Sequence, residues 1–335
     1  MSDDATPIRS EGELIETYLA PLAAGYPGAF GLGDDCAVAA PRAGHEFVLK
    51  TDAIAAGVHF LPDDAPEDIA WKALAVNVSD LTAKAAHPVG YLLSLSFPAA
   101  PSHGWMRRFA AGLAEAQAAF GMRLWGGDTD RRPGPLSITP AVLGEVPAGR
   151  MLRRGTARPG DRIYVSGTLG DAALGLALRR QPGQAQHWRL VPEHAAFLVR
   201  RYLRPEPRTA LVPVLREHAH AAMDLSDGLM KDLGRMCRAS GCGAHIEMHR
   251  IALSAAAAVV LAADPARQSS IVAAGDDYEV LASVRPDVAE AFERAAARAG
   301  VEATAIGEMA DGTDVWLRDV DGRAIHLPLT GYDHF

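Results

Sequence analysis

The chain reads as a two-domain α/β protein, on three observations. Strand-like and helix-like stretches alternate through both halves. A length of 335 residues with 49% hydrophobic content exceeds what one core needs and suffices for two. Residues 147–160 carry Pro, Gly and four arginines without apolar periodicity, as a linker does. The expected domains are therefore 1–148 and 149–335.

In the first half, Leu14, Ile15, Tyr18, Leu19 and Leu22 fall at helical spacing and predict an amphipathic helix over 11–22. A Gly-rich loop follows at 31–35. Residues 36–40 predict a strand, 41–44 a turn and 46–50 the returning strand, which delivers Thr51 and Asp52 at its end. Asp64 and Pro66 are start signals for a helix reaching about residue 86. A strand is expected at 92–97, an alanine-rich helix at 105–120 stopped by Gly121, a short strand at 123–125 opening into Gly126-Gly-Asp128, and a strand at 136–146.

The second half repeats the alternation. Strands are expected at 162–166, 221–223, 278–283 and 303–306, and helices at 171–178, 229–239 and 286–299.

Composition narrows the function. Only 22% of residues are charged, and the polar stretches are short, which marks a folded chain. The net charge of −8 opposes a general nucleic-acid binder, which needs a basic face to release counterions. Polyanionic substrates stay open, because a bound metal can supply positive charge. Three cysteines, Cys36, Cys237 and Cys242, fit a reducing compartment without a disulfide framework. Cys237, Cys242 and His245 invite a zinc reading, but Cys237 falls on an apolar helix face and packing is preferred. The acidic N-terminus has no basic, then apolar, signal pattern, and no stretch has the length of a membrane span. Cytoplasmic localisation is expected, with no membrane partner.

The placing of the aspartates is the chemical signal. Asp34 and Asp35 lie in a Gly-rich loop, Asp52 ends a strand, and Asp128 follows a Gly pair. Asp224 and Asp227 flank Ser226 at a strand-to-helix junction. Each alone reads first as a cap or turn residue. Asp80 differs. Ile69, Ala73, Val76, Asp80 and Ala83 share one helix stripe, which puts a carboxylate on the inward face with no basic residue of that face to pair with. Magnesium takes such hard oxygen ligands and bridges to phosphates. The G-x-x-x-x-G-K-[ST] phosphate loop is absent. Gly167-Thr-Leu-Gly170 sits at a strand-to-helix turn and reads either as a phosphate cradle or as a plain turn.

Taken together the segments resemble the thiamine-monophosphate kinase family. They are Gly31-Leu-Gly-Asp-Asp-Cys-Ala37, Thr51-Asp-Ala-Ile-Ala-Ala-Gly-Val-His-Phe60, Lys72-Ala-Leu-Ala-Val-Asn-Val-Ser-Asp80 and Gly126-Gly-Asp-Thr129. Asp224-Leu-Ser-Asp-Gly-Leu229, Gly275-Asp-Asp-Tyr-Glu279 and Gly331-Tyr-Asp-His-Phe335 complete the series. The resemblance implies the aminoimidazole-ribonucleotide synthetase-like fold, whose N-terminal domains pair into a β-barrel across a homodimer and whose C-terminal domain is α/β. It implies that Asp35, Thr51, Asp52, Asp80, Asp128, Asp224 and Asp227 hold several Mg²⁺ ions. Gly127, Asp128, Arg154 and Ser226 would contact ATP, and His59, Asp276 and Tyr332 would meet thiamine monophosphate.

Four places depart from the family pattern: Lys50, Lys84-Ala-Ala-His87 in place of a common Met-Gly-Ala-Asp, Asp276, and Leu329 near where an aromatic residue can occur. Lys50 stands where a hydroxyl residue is common, and Asp276 where Glu is usual. The implied activity is transfer of the ATP γ-phosphate onto thiamine monophosphate, giving thiamine diphosphate and ADP. It would be direct and in line, with no residue acting as acid or base. Another ATP-using synthetase of the same superfamily, or a non-catalytic nucleotide-binding protein, are the alternatives. Selenophosphate synthetase uses a reactive Cys or selenocysteine and a Lys near the N-terminus, and the first nineteen residues hold neither Cys nor Lys.

Overall fold

A computed structural model describes residues 3–325. It divides into two compact units. One holds the described residues through Leu81 together with Ala86–Gly149. The other holds Thr82–Ala85 and the described residues from Arg150 onward.

The first unit opens with helix α1 (Glu11–Leu14), capped by the Ser10 side chain. It continues as a π turn (Ile15–Leu19) and a 3₁₀ turn (Ala20–Ala23). The expected helix over 11–22 is thus one helical run of changing pitch, with Pro21 in its last turn. Then come β1 (His45–Thr51), β2 (Ile54–Ala55), α2 (Pro66–Ala83), β3 (His87–Phe97), α3 (His103–Phe120), β4 (Arg123–Arg131) and β5 (Ser137–Pro147). The sheet runs β1-β5-β3-β4, with β2 added on β5. The β3–β4 pair is parallel; the others are antiparallel.

Period-2 burial along β3 sends Tyr91, Leu93, Leu95 and Phe97 to one face. Helix α3 covers that face: Gln117 Oε1 accepts the Tyr91 hydroxyl and the Leu124 amide, both at 2.9 Å. Helix α2 lies against α3 so closely that a Cβ at Gly112 would meet Glu67 O at 2.3 Å. Ser102 caps α3, and Gly121 ends it at φ 71°.

The expected strand at 36–40 does not form. No described strand pairs with it. The Val38 N–H instead reaches Gly28 O at 2.9 Å, and the segment runs along the start of the unit as irregular chain.

The second unit contains β6 (Arg162–Ser166), α4 (Asp171–Arg180), α5 (Gln184–His187), α6 (Pro192–Leu203), α7 (Val212–His218), β7 (Ala219–Leu225) and α8 (Leu229–Ser240). After these come β8 (Gly243–Glu247), α9 (Ala255–Ala263), α10 (Gln268–Ala273), β9 (Glu279–Val284), α11 (Ala289–Arg298), β10 (Ala303–Ala310), β11 (Val315–Arg318) and β12 (Ala324–Ile325). The sheet order is β12-β11-β8-β10-β6-β9-β7. Among the described residues only the β11–β8 pair is parallel. One core joins α8 to the sheet through Leu229, Leu233, Met236, Val165, Met223 and Leu281. Cys237 and Cys242 are buried in that core, and burial pushes the Cys237 thiol up to about 12.

Candidate active site

In the first unit a cleft of about 840 Å³ opens on the sheet face opposite α3. Its floor is Leu92, Ser94, Thr139, Ala141 and Leu143, the outward residues of β3 and β5. Its rim carries Glu11, Asp34, Asp35 and Asp128. Asp35 comes from the Gly-rich loop and Asp128 from β4, so the structure brings these two expected ligands to one cleft. Among the described residues its lining has no Lys, Arg or His. A polyanion entering there would meet only like charge unless cations came with it. The donor set, hard carboxylate oxygens, fits a divalent ion such as Mg²⁺.

Gly126-Gly127-Asp128 is not a loop but part of β4, paired with Leu92–Ser94. The need for glycine at 127 has a backbone cause: a Cβ there would sit 1.9 Å from Leu93 O.

Asp52 and Asp80 form a separate group. Asn77 fixes their spacing. Its Oδ1 accepts the Asp52 N–H at 2.7 Å, and its Nδ2 donates to Ala73 O at 3.0 Å within α2. Asp80 follows Asn77 by three residues and shares its helix face. Lys50 is two residues before Asp52, on the face of β1 that also carries buried Val48. Its Nζ lies 2.8 Å from Asp80 Oδ2 and 3.0 Å from Asp52 Oδ2. The helix face that carries Asp80 offers no basic partner of its own; the cation comes instead from a strand residue 30 positions earlier, which the sequence reading did not consider. Partial burial works against the Lys50 ammonium, but the Asp80 and Asp52 carboxylates outweigh it and raise its pKa. Burial also raises the Asp52 carboxyl, with Lys50 pulling the other way.

Thr51 is one residue out of phase with Lys50 and points to the opposite face, where its hydroxyl donates to Pro140 O at 2.9 Å. His59 Nδ1 accepts the Ala55 N–H at 3.1 Å, which places the ring proton on Nε2 when the imidazole is neutral.

In the second unit two loops are stitched together. The Asp276 N–H donates to Ser226 O at 2.9 Å, and the Tyr278 N–H to Leu225 O at 2.8 Å. Gly275 allows this approach, since a Cβ there would meet Ser226 O at 2.3 Å. Asp224, Ser226, Asp227 and Asp276 are thereby gathered at the end of β7 and the start of α8. Asp227 is ion-paired with Arg235, and Lys231 lies 3.7 Å away. Arg154 lies elsewhere in this unit. Its carbonyl accepts the Ser240 hydroxyl at the far end of α8, about 18 Å along the 12-residue helix. Tyr332 and Leu329 lie outside the described residues.

The Gly167–Gly170 turn is not a phosphate cradle. Both Asp277 oxygens take the Gly170 N–H, at 2.9 and 3.0 Å. A Cβ at Gly167 would strike Glu279 and Arg208. Glu279 is fully buried and bonded to Arg201, Arg208 and Ser166. Sequence reasoning missed Asp232, Asp277 and Glu279 as the groups that hold these loops. Asp232, five residues beyond Asp227 in the first turn of α8, was the one with a readable signal. Among the described residues no three His, Cys, Asp or Glu side chains converge as a metal cluster.

Residues 33–146 match the family of AIR synthase related protein, N-terminal domain, and residues 158–319 match AIR synthase related protein, C-terminal domain. A curated thiamine-monophosphate kinase from Caulobacter vibrioides is 42% identical over 309 residues, covering 91% of this chain and 86% of the relative. This chain belongs to the thiamine-monophosphate kinase family. The crystal structure of thiamine-monophosphate kinase from Stenotrophomonas maltophilia superposes with a TM-score of 0.79 at 38% identity, over 88% of this chain and 91% of that one. A second solved structure, AaThiL complexed with AMPPCP and TMP, gives a TM-score of 0.76 at 29% identity, over 92% of this chain and 97% of that one. The two-domain fold with mixed α/β content is that of the AIR synthase related proteins.

Proposed function

We propose that this enzyme is a thiamine-phosphate kinase, which transfers the γ-phosphate of ATP to thiamine monophosphate and releases thiamine diphosphate and ADP. The observation that carries the reading is family membership at 42% identity across 91% of the chain, together with a neighbour solved with AMPPCP and TMP. AMPPCP keeps the shape of ATP and cannot be split between its β and γ phosphorus atoms.

The chemistry suits the residues. A phosphate monoester with a second pKa of about 6 is mostly dianionic at neutral pH, so the acceptor needs no general base. It needs shielding and alignment against a second anion. Asp35 and Asp128 would hold Mg²⁺ in the first unit, with the Thr51 hydroxyl oxygen as a further candidate, and Asp224 and Asp227 in the second. Bound Mg²⁺ would offset charge on the phosphate oxygens. Gly127 and Asp128 form one strand wall for ATP, and Ser226 offers a hydroxyl and a loop backbone. Arg154 is assigned to ATP, and Tyr332 to the substrate, on the family resemblance alone. His59 would donate from Nε2, and Asp276 would face the cationic part of thiamine.

The active form is a homodimer. Leu49 and Val38 are exposed apolar side chains of the first unit, which a second N-terminal domain would cover as the sheet closes into a barrel. We assign the enzyme to the cytoplasm, where ATP is available. Among the described residues no helix is long and apolar enough to cross a membrane.

The test is ADP release with ATP, Mg²⁺ and either thiamine monophosphate or thiamine. Turnover is expected with the monophosphate alone, because the thiamine hydroxyl would need a base. Equal turnover with both, or none with the monophosphate, overturns the assignment.

A further inference from the structure

Lys50 sits at a place where the surrounding carboxylates fit a cation. Its Nζ bridges Asp80 at 2.8 Å and Asp52 at 3.0 Å, distances of good charge-assisted hydrogen bonds. The two carboxylates are not free to drift apart, since the Asp52 backbone is bonded to Asn77 of α2 through both its N–H and its C=O. The Lys50 side chain is held as well. Its strand is paired from His45↔Pro147 to Thr51↔Ala141, which fixes the face on which residue 50 lies. The side chain of Asp80 is only 17% exposed, so the pair is costly without a counter-ion.

We infer that Lys50 is a built-in monovalent cation standing between Asp52 and Asp80 in place of a divalent ion. The inference rests on the kinase reading for the role of the acidic set. A single ammonium leaves the trio at net −1 where a divalent ion would leave it neutral. It brings three rotatable donors, it cannot be lost by chelation, and it does not coordinate phosphate as a metal does. Asp52 and Asp80 are thus positioning residues for Lys50, and divalent ions fall to the other aspartates. A hydroxyl at position 50 would undo this. It would remove the ammonium, leave two carboxylates facing one space, and create a divalent site.

The experiment counts Mn²⁺ bound per chain in the full-length, nucleotide-free protein, from the electron paramagnetic resonance signal of free Mn²⁺. Lys50→Thr is expected to bind one more Mn²⁺ than wild type. In chelator it is expected to melt at a lower temperature and to recover on adding Mn²⁺. Asp52→Asn, made in the wild-type background, is expected to bind the same number as wild type. This second variant keeps the test decisive should Lys50→Thr fold poorly. An unchanged count in folded Lys50→Thr, or one ion fewer in Asp52→Asn, overturns the inference. Wild-type turnover of thiamine monophosphate is measured alongside. Its absence sinks the kinase reading whatever the ion counts are, and the counts decide the role of Lys50 whatever the turnover is.

Discussion

The Oδ2 atom of Asp232 accepts the backbone N–H of Asp227 at 2.9 Å and that of Ser226 at 3.1 Å. One fully buried carboxylate therefore ties the strand-to-helix loop to the first turn of the helix that follows it. Arg235 completes the arrangement, bonding Asp232 Oδ1 at 2.7 Å while it also pairs with Asp227.

Asp232→Ala would leave two amides without their acceptor and one guanidinium half-paired. A stability loss of about 3 kcal/mol is expected, read by urea unfolding. Asp232→Asn keeps one acceptor oxygen and should lose about 1 kcal/mol. Both should lower turnover, because Ser226 and Asp227 depend on the loop. If Asp232→Ala unfolds like wild type, the carboxylate is not what holds it.

Neighbouring glycines of β4 should respond differently. A Cβ at Gly127 would lie 1.9 Å from a backbone oxygen of β3, whereas at Gly126 it would meet the flexible Leu92 side chain at 3.2 Å. Gly127→Ala is expected to cost on the order of 3 kcal/mol in thermal unfolding and Gly126→Ala under about 1. Equal, small effects would show that β3 and β4 can part to admit the methyl.

The pH dependence of stability has a contributor beside Asp276, the residue proposed to meet the substrate. Burial raises the Asp277 carboxyl well above its usual range, with the Gly170 N–H and Arg201 pulling the other way. A raised carboxylate keeps its proton in the folded state where the unfolded chain has already lost it. Stability therefore falls as pH rises from about 4, the unfolded value, and the loss is complete above the folded value. Asp277→Asn removes that titration. Its stability relative to wild type should grow as pH rises through this window, in urea melts at matched salt. A constant difference across the window would mean that Asp277 is ionised throughout.

Much of this was legible from residue order. Helix α3 has its stop at Gly121, and β3 and β5 announce themselves by alternation. The aspartates at strand ends and junctions drew attention to candidate residues in each unit. What stayed hidden depends on partners distant in sequence. Arg201 lies on the inward face of α6, so the charge broke the apolar pattern and the helix went unread; it is buried because Glu279 waits for it. Residues 36–40 carry strand-like composition but find no described strand to pair with. Lys50 and Asp80 were each visible as unusual. That one answers the other follows only when β1 and α2 are packed.

Asp276 offers the most direct test of the substrate side. It adopts φ 71°, and Tyr278, two residues on, adopts φ 52° and donates its hydroxyl to Asp276 Oδ1 at 3.1 Å. Such left-handed backbone is uncommon for residues with a Cβ, and Asp and Asn tolerate it better than longer side chains. The short carboxylate at this place and the strained backbone are therefore consistent with each other. Asp276→Asn keeps the shape and the conformation and removes only the charge. Its unfolding free energy should stay within about 0.5 kcal/mol of wild type. If the carboxylate meets the cationic part of thiamine, the KM for thiamine monophosphate should rise roughly 10-fold, as loss of a charged hydrogen bond predicts. The KM for ATP should stay put. Asp276→Glu restores the charge, so substrate binding should recover toward wild type. The longer side chain should cost about 1 kcal/mol of stability at the left-handed position. A KM for thiamine monophosphate unchanged in Asp276→Asn would remove the residue from the substrate site and leave it a purely conformational role in the Gly275–Tyr278 turn.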